Sequence, residues 1–411
     1  MTTILIILVI FGLIDLYVFK GVSNLISVYA QNTKLSITII YWFISLLCIG
    51  LLIYGIANRG SFRSSNSLTL IIGVFVSFLL PKLIFLGFHA LDDLFNLASY
   101  GVSKFSAEGD YSRRNFITQV GMFAGGLMFG GMVYGVLWGK FNFRVLTEDI
   151  SSPRIPRAFD GLKIVHISDA HLGSFGNSFE PIKKAIKMIN DLDPDYVFFT
   201  GDLVNNHANE AEPWIEVFRE IRSKKGKFSI FGNHDYADYG SFSKQEKETS
   251  VQRLKAIHDE MGFHLLQDTH VVLKEDDAAI SLIGVHNWGQ GFHQIGDLAK
   301  AMDGVADDHF KILLSHDPTH FEMQVKNKTN IDLTLSGHTH GMQMGIEVPV
   351  LNIKWSPVRF RYPRWAGLYR ENGQSIYINR GFGVLAYPGR VGMAPEITLL
   401  TLKSEAAASE G

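Results

Sequence analysis

Cysteine is almost absent: the chain of 411 residues carries one, Cys48, inside an apolar run. A disulfide framework is therefore impossible and a cysteine-rich metal site is excluded, which leaves Cys48 as a small hydrophobe facing lipid or core. An excess of charge is lacking as well. Lysine and arginine total 38 against 40 acidic residues, and no large basic patch interleaved with aromatics is found, so nucleic-acid binding is not expected. Internal repeats are missing, which sets aside solenoids and propellers. The only biased stretch is a short tail, 404–411, expected to be disordered.

Long apolar runs are plentiful, and all of them precede residue 140. Four stretches, at about 4–19, 37–57, 68–88 and 117–138, read as transmembrane helices, since a bilayer core needs about 20 apolar residues. Asp15 and Lys82 interrupt the first and third. Both are expected near span ends, where Lys82 can snorkel to the interface. Ser112-Arg113-Arg114-Asn115-Phe116-Ile117 precedes the fourth stretch, which is rich in glycine. This fits either a twin-arginine export signal or the positive flank of a helix. Both place the arginines in the cytoplasm, together with Lys20, Lys34 and Lys104, while Arg59 and Arg63 fall outside. The expectation is a multi-pass protein of a bacterial inner membrane whose second domain, 141–403, is extracytoplasmic.

That second domain alternates short strands and helices. Strands are expected at 163–168, 196–200, 228–231, 279–285, 311–315, 332–336 and 375–379, with helices at 181–192, 214–224 and 244–260. Ile182, Ala185, Ile186 and Ile189 form one apolar helix face, and Gly262 is expected to close the last helix. Strand–helix alternation followed by a strand-rich half predicts an α/β sandwich on two sheets.

Most of these strands end in a polar motif. In order they are Asp169-Ala170-His171, Gly201-Asp202, Gly232-Asn233-His234-Asp235, Ser315-His316-Asp317 and Gly337-His338-Thr339-His340. Singly each means little, but together they gather the side chains that hold divalent metals. Two ions roughly 3.5–4 Å apart can clamp a phosphoryl group and generate hydroxide between them. Asp202 has two oxygens to share between such ions. Asp169 and His171 lie two apart at a strand end, where alternate side chains point the same way, and His338 and His340 repeat the spacing. Asn233 offers a neutral oxygen. His234 suits proton transfer to a leaving oxygen, with Asp235 available to orient it.

The set resembles the calcineurin-like metallophosphoesterase family, whose pattern is D-x-H, G-D, G-N-H-[DE], H and G-H-x-H, over residues 160–345. The resemblance implies a four-layer αββα sandwich behind the transmembrane bundle. It also implies one metal on Asp169, His171, Asp202 and His340, a second on Asp202, Asn233, His316 and His338, and His234 as the catalytic histidine. Membrane-anchored bacterial members share the tail pattern Gly367-Leu368-Tyr369, Ile376-Tyr377-Ile378-Asn379-Arg380-Gly381 and Pro395-Glu396-Ile397. Arg380 and Arg390 suit phosphate contacts or internal salt bridges. Met342 stands where relatives often carry glycine, and Trp288 is either a rim residue or a packing residue.

The expected activity is a metal-dependent phosphohydrolase, a phosphodiesterase or pyrophosphatase using manganese, iron or zinc. Its membrane location suggests a lipid-linked or envelope substrate such as UDP-2,3-diacylglucosamine, which is made in the cytoplasm and so conflicts with an external domain. A phosphomonoesterase, a phosphoprotein phosphatase and a non-catalytic metal-binding sensor or scaffold are the alternatives.

Overall fold

The computed structural model describes residues 2–57, 66–102, 111–351 and 353–405. They divide into two units, Met1–Leu137 and Trp138–Gly411. Arg59, Arg63, Lys104, the side chain of Arg114 and residues 406–411 of the tail lie outside the description. Ser404, placed with the tail from sequence, is instead the last residue of a paired strand.

The described residues of the first unit form four helices, α1 (Thr2–Ile26), α2 (Gln31–Ala57), α3 (Asn66–Val102) and α4 (Tyr111–Leu137). Each contains a stretch long and apolar enough to cross a membrane: Leu5–Ile26, Gln31–Ala57, Thr69–Phe95 and Phe116–Leu137. Helices are the form such stretches take because lipid offers no partner for a free backbone amide. Glycines let α4 approach α3, as small residues do between membrane helices. A Cβ on Gly121 would sit 2.9 Å from Phe88, and one on Gly125 would sit 3.0 Å from the carbonyl of Pro81.

Asp15 and Lys82 correct the sequence expectation. They lie near the middles of their spans rather than at the ends, and they meet: Lys82 Nζ is 2.5 Å from Asp15 Oδ1 and 2.8 Å from Ser45 Oγ. Tyr41 donates to the Asp15 backbone carbonyl at 2.9 Å. In lipid the charges are tolerable because they are paired and hydrogen-bonded inside the bundle. Arg113 also has an internal role, with Nε 3.6 Å from Asp92 and its guanidinium over the Phe95 ring.

The described residues of the second unit form fourteen strands and four α-helices. In chain order they are β1 (Arg144–Ser152), β2 (Lys163–Ile167), α5 (Phe179–Asp191), β3 (Tyr196–Phe199), α6 (Ile215–Arg219), β4 (Gly226–Ser229) and α7 (Lys244–Glu260). There follow β5 (His264–Leu265), β6 (Thr269–Glu275), β7 (Ala278–Gly284), α8 (Leu298–Met302), β8 (Phe310–Leu314) and β9 (Leu333–Ser336). The last are β10 (Ile346–Val348), β11 (Ile353–Trp355), β12 (Gly367–Glu371), β13 (Gln374–Ile378) and β14 (Glu396–Ser404). Two six-stranded sheets run β1-β14-β2-β3-β4-β5 and β12-β13-β9-β8-β7-β6, and β10 pairs with β11 as a separate antiparallel hairpin.

Side-chain alternation makes the layers. On β2 and β3, Val165, Ile167, Val197 and Phe199 join the helix-side core with Ile182, Ile186 and Ile189 of α5. Ile164, Tyr196 and Phe198 point the other way, into a core shared with Leu282, Ile312 and Leu333 of the second sheet. Ile283, Leu313 and Ile376 on that sheet's far face pack against Leu298 and Ala301 of α8. Strands buried on both faces read as continuous apolar runs, as in other covered parallel sheets. The result is helices, sheet, sheet, helices, the four layers expected.

Helix α7 matches its predicted limits. Ser243 and Glu246 cap it reciprocally, and Gly262 follows with φ 81°. It buries His258, whose Nδ1 is 2.8 Å from Ser229 Oγ and whose pKa burial pushes down to about 3. The unfolded chain binds this proton near the ordinary value of roughly 6.5, so the folded state is penalised as pH falls from there toward 3. Urea unfolding at pH 7.5 and 5.0 is expected to show a loss of about 2 kcal/mol traceable to this residue. His258→Gln should lack that part of the pH slope, and equal slopes would disprove the assignment.

Candidate metal centre

Five strand ends deliver the polar motifs to one place. β2, β3 and β4 of one sheet lead into Asp169, Asp202 and Asn233, and β8 and β9 of the other lead into His316 and His338. These are carboxyl ends of parallel neighbours, where open sheets gather ligands. The ligand side chains do not converge through strand alternation, because β2 stops at Ile167 and β9 at Ser336. Left-handed backbone turns them in. Asp169, His171, Asp202, His338 and His340 have φ of 53°, 43°, 59°, 70° and 52°. Such conformations cost about 1–3 kcal/mol each in non-glycine residues and persist where surrounding structure enforces them.

Glycines supply the room. A Cβ on Gly232 would fall 2.2 Å from Asp202 Oδ1, and one on Gly337 would fall 2.2 Å from Asp169 Oδ2. In both motifs glycine is needed so that the backbone can lie against a carboxylate supplied by another loop.

Two groups of donor atoms result, Asp169–His171–His340 and Asp202–His316–His338, with atoms of each group within 4.8 Å of one another. In the first, His171 Nε2 and His340 Nε2 are 3.1 Å apart and Asp169 Oδ1 lies 3.2 Å from the latter. In the second, His316 Nε2 is 3.1 Å from Asp202 Oδ2, and His338 Nδ1 lies 2.8 Å from Asn233 Oδ1. Asp202 joins the groups, since Oδ2 is also 3.6 Å from His171 Nε2. Buried nitrogens and oxygens facing one another at these distances need a proton or a cation between them. The donor set therefore fits divalent metal ions.

The electrostatics agree. Burial alone would raise the Asp202 carboxyl, but the imidazoles of His316 and His234 hold it well below the usual range. Burial also opposes charge on His316, yet Asp202 and Asp169 raise its pKa to about 10. Burial pushes His171 and His338 down, keeping them neutral and able to ligate.

The comparisons with known proteins come to the same place. Residues 1–140 match the family described as "Probable Calcineurin-like phosphoesterase, transmembrane domain", and residues 162–342 match "Calcineurin-like phosphoesterase". The chain is 32% identical over 305 residues to the uncharacterized metallophosphoesterase YkuE of Bacillus subtilis, covering 71% of this chain and 98% of that protein. The chain belongs to the calcineurin-like metallophosphoesterases. The metallophosphoesterase YkoQ of the same organism is 28% identical over 58% of this chain and 82% of its own length. A bovine transmembrane protein with a metallophosphoesterase domain is 31% identical over 66% of this chain, which spans 60% of that relative. This metallophosphoesterase is thus a membrane-associated phosphoester hydrolase.

The residues around its donor groups include several that sequence reasoning passed over. His316 Nδ1 is 2.7 Å from the Thr200 carbonyl and donates to it, which leaves Nε2, facing Asp202, as the nitrogen whose proton a cation would replace. His338 Nε2 lies 2.8 Å from Tyr362 Oη and 3.4 Å from the buried Asp317 carboxylate. Partners on the outer nitrogen orient a ligand histidine and raise its basicity. Asp317 was visible as His316's neighbour, but Tyr362 has no sequence signal. Asn233 Nδ2 donates to Tyr239 Oη, and that ring stacks on His234 at 4.2 Å.

Two expected roles, those of Asp235 and Arg390, are corrected by the metallophosphoesterase structure, and for Arg380 the internal salt bridge is the alternative found. Asp235 does not orient His234: its buried carboxylate accepts from the backbone amides of Asp202, Leu203 and Gly232 at 2.8–2.9 Å. The Asn205 carbonyl, 2.6 Å from His234 Nδ1, orients the imidazole instead. Arg390 is buried and donates to the carbonyls of Arg380, Gly381 and Gly383, so its charge is consumed by backbone rather than substrate. Arg380 pairs bidentately with Glu347 at 2.9 and 3.0 Å. Of the alternatives open for Trp288, packing holds, since it stacks on His320 at 5.3 Å. Met342 has φ 54°, which explains why glycine suits its position.

Proposed function

We propose that the enzyme is a dinuclear metallophosphodiesterase or pyrophosphatase acting on a lipid-linked or envelope phosphoester. The observation that carries this is the pair of donor groups joined by one carboxylate, Asp202. Asp169, His171, Asp202 and His340 would hold one divalent ion, and Asp202, Asn233, His316 and His338 the other, with manganese, iron and zinc all suited to this donor set. When bound, the ions supply Lewis acidity toward the phosphoryl oxygens and ionise water at neutral pH.

The chain's own residues do the rest. Asn233 contributes an uncharged oxygen, limiting the negative charge that a phosphate anion must approach. His234 donates from Nδ1 to the Asn205 carbonyl, which leaves Nε2 to take up a second proton and, as the imidazolium, pass it to the departing oxygen, returning to the neutral ring. The basic groups Lys20, Lys34 and Arg113 support a cytoplasmic face for their end of the helices and an extracytoplasmic catalytic unit. On that side the substrate is an envelope phosphodiester rather than a cytoplasmic nucleotide lipid.

The test is hydrolysis of a chromogenic phosphodiester and its monoester counterpart by the detergent-solubilised full chain, with manganese, after chelation, and with Asn233→Ala alongside. Diester cleavage that needs metal and is lost in the variant supports the reading, whereas cleavage of the monoester alone replaces it with a phosphatase. His234→Gln is expected to slow an alkyl diester by about 10²–10⁴-fold but a nitrophenyl diester far less, because nitrophenolate departs without a proton. Equal losses on both substrates would remove the general-acid role.

A further inference from the structure

The β10–β11 hairpin follows the Gly337-His338-Thr339-His340 loop and presents apolar side chains outward. Val350 is 95% exposed, Leu351 65% and, just beyond the hairpin, Phe360 84%. Ile346, Ile353 and Trp355 are exposed beside them. A contiguous patch of large apolar groups is uncommon on a soluble face and marks a contact with a partner or a membrane. Cations flank it: Arg359 and Arg361 are exposed. Apolar tips beside aromatics and basic groups are the composition of elements that lie in the headgroup region of a bilayer.

Three observations select a lipid surface as the occupant. The same chain carries four helices long and apolar enough to span a membrane. Only residues 138–143 lie between the last of these and β1, a tether of at most about 20–25 Å when extended. The flanking guanidinium groups complement anionic headgroups, at roughly 1 kcal/mol per basic residue near the surface.

The base of the hairpin is pinned to the metal-binding loop. Ser356 Oγ donates to the Gly341 carbonyl at 2.7 Å, Thr339 Oγ1 donates to the Trp365 carbonyl at 2.6 Å, and Tyr362 reaches His338. A side chain held at the membrane surface would thereby fix the height of the donor groups above it. We propose that this hairpin, with Phe360, is a bilayer-docking element of the catalytic unit, whichever phosphoester is cleaved.

The experiment uses the full chain in phosphatidylcholine–phosphatidylglycerol vesicles. Cys48→Ser removes the one native thiol, and Leu351→Cys then accepts a nitrobenzoxadiazole probe. Lys187→Cys, on the exposed side of α5, is the control. Brominated acyl chains are expected to quench the probe at 351 and leave the one at 187 bright. Adding Val350→Glu and Phe360→Glu should abolish that quenching while turnover of whichever soluble chromogenic phosphoester the parent chain cleaves persists, showing that the unit is still folded. No quenching at 351, or equal quenching at both positions, overturns the proposal. A blue shift without quenching overturns it as well, since it would mean that a second copy of the chain covers the patch.

Discussion

Replacing Asp202 by asparagine is expected to lower turnover by about a thousandfold or more and to reduce the bound metal from two ions toward one. The shape of the side chain is preserved, so the loss reports charge and donor capacity. One oxygen, Oδ1, accepts from the His234 amide at 2.8 Å, while Oδ2 faces His316 and His171. An amide that keeps its oxygen toward His316 and His171 turns its NH2 against the His234 N–H, and the flipped amide turns the NH2 toward the cation sites; in either orientation the negative charge is gone. A left-handed φ of 59° at Asp202, with the Gly232 backbone packed against its Oδ1, holds the carboxylate against both donor groups. Metal analysis of the purified protein alongside diester turnover checks this. Full activity with both metals retained would end the two-metal account.

Replacing Asp15 by asparagine should destabilise the four-helix unit by about 3–5 kcal/mol, because Lys82 is then left charged and unpaired in the apolar interior. Its ammonium would keep Ser45 Oγ at 2.8 Å and the face of the Tyr41 ring at 5.2 Å, neither of which carries a compensating charge. Removing both charges, with Asp15→Leu and Lys82→Met, should recover most of the loss, since two apolar side chains need no compensation. Thermal unfolding in detergent micelles separates the cases. A single variant as stable as the double one would show that the pair contributes nothing. The prediction rests on where the residues lie: near a span end, as the sequence suggested, Lys82 could reach the interface and Asp15 would matter little.

The difference between those two placements shows what a sequence can carry. Hydropathy located four spans but could not say that Asp15, Ser45 and Lys82 share a level, because that depends on how three helices pack. In the catalytic unit, α7 and the apolar face of α5 were legible because their signals are local: a periodic stripe and a glycine after the last turn. β1, β5, β6, β10, β11, β12 and β14 were missed as strands. Several of them lie at sheet edges or in the hairpin, where exposure removes the apolar run that reveals a central strand.

The candidate ligands were legible for a different reason. Metal-binding chemistry admits few side chains, so Asp169, His171, Asp202, Asn233, His316, His338 and His340 stood out by type and order alone. How they converge was decided by tertiary structure. Left-handed turns, rather than strand alternation, direct Asp169 and His171 inward, and the surrounding contacts hold those turns. The same holds for the supporting groups. Asn205 and Thr200 act through backbone carbonyls, which every residue possesses, and Tyr362 arrives from a segment beyond the hairpin. Arg380 and Arg390 mark the converse limit, since a guanidinium suited to phosphate is equally suited to Glu347 or to a cluster of carbonyls. Residue type determined which chemistry this protein could perform; only packing decided which charges remain available for it, because a burial site and its partners are properties of the fold and not of the side chain.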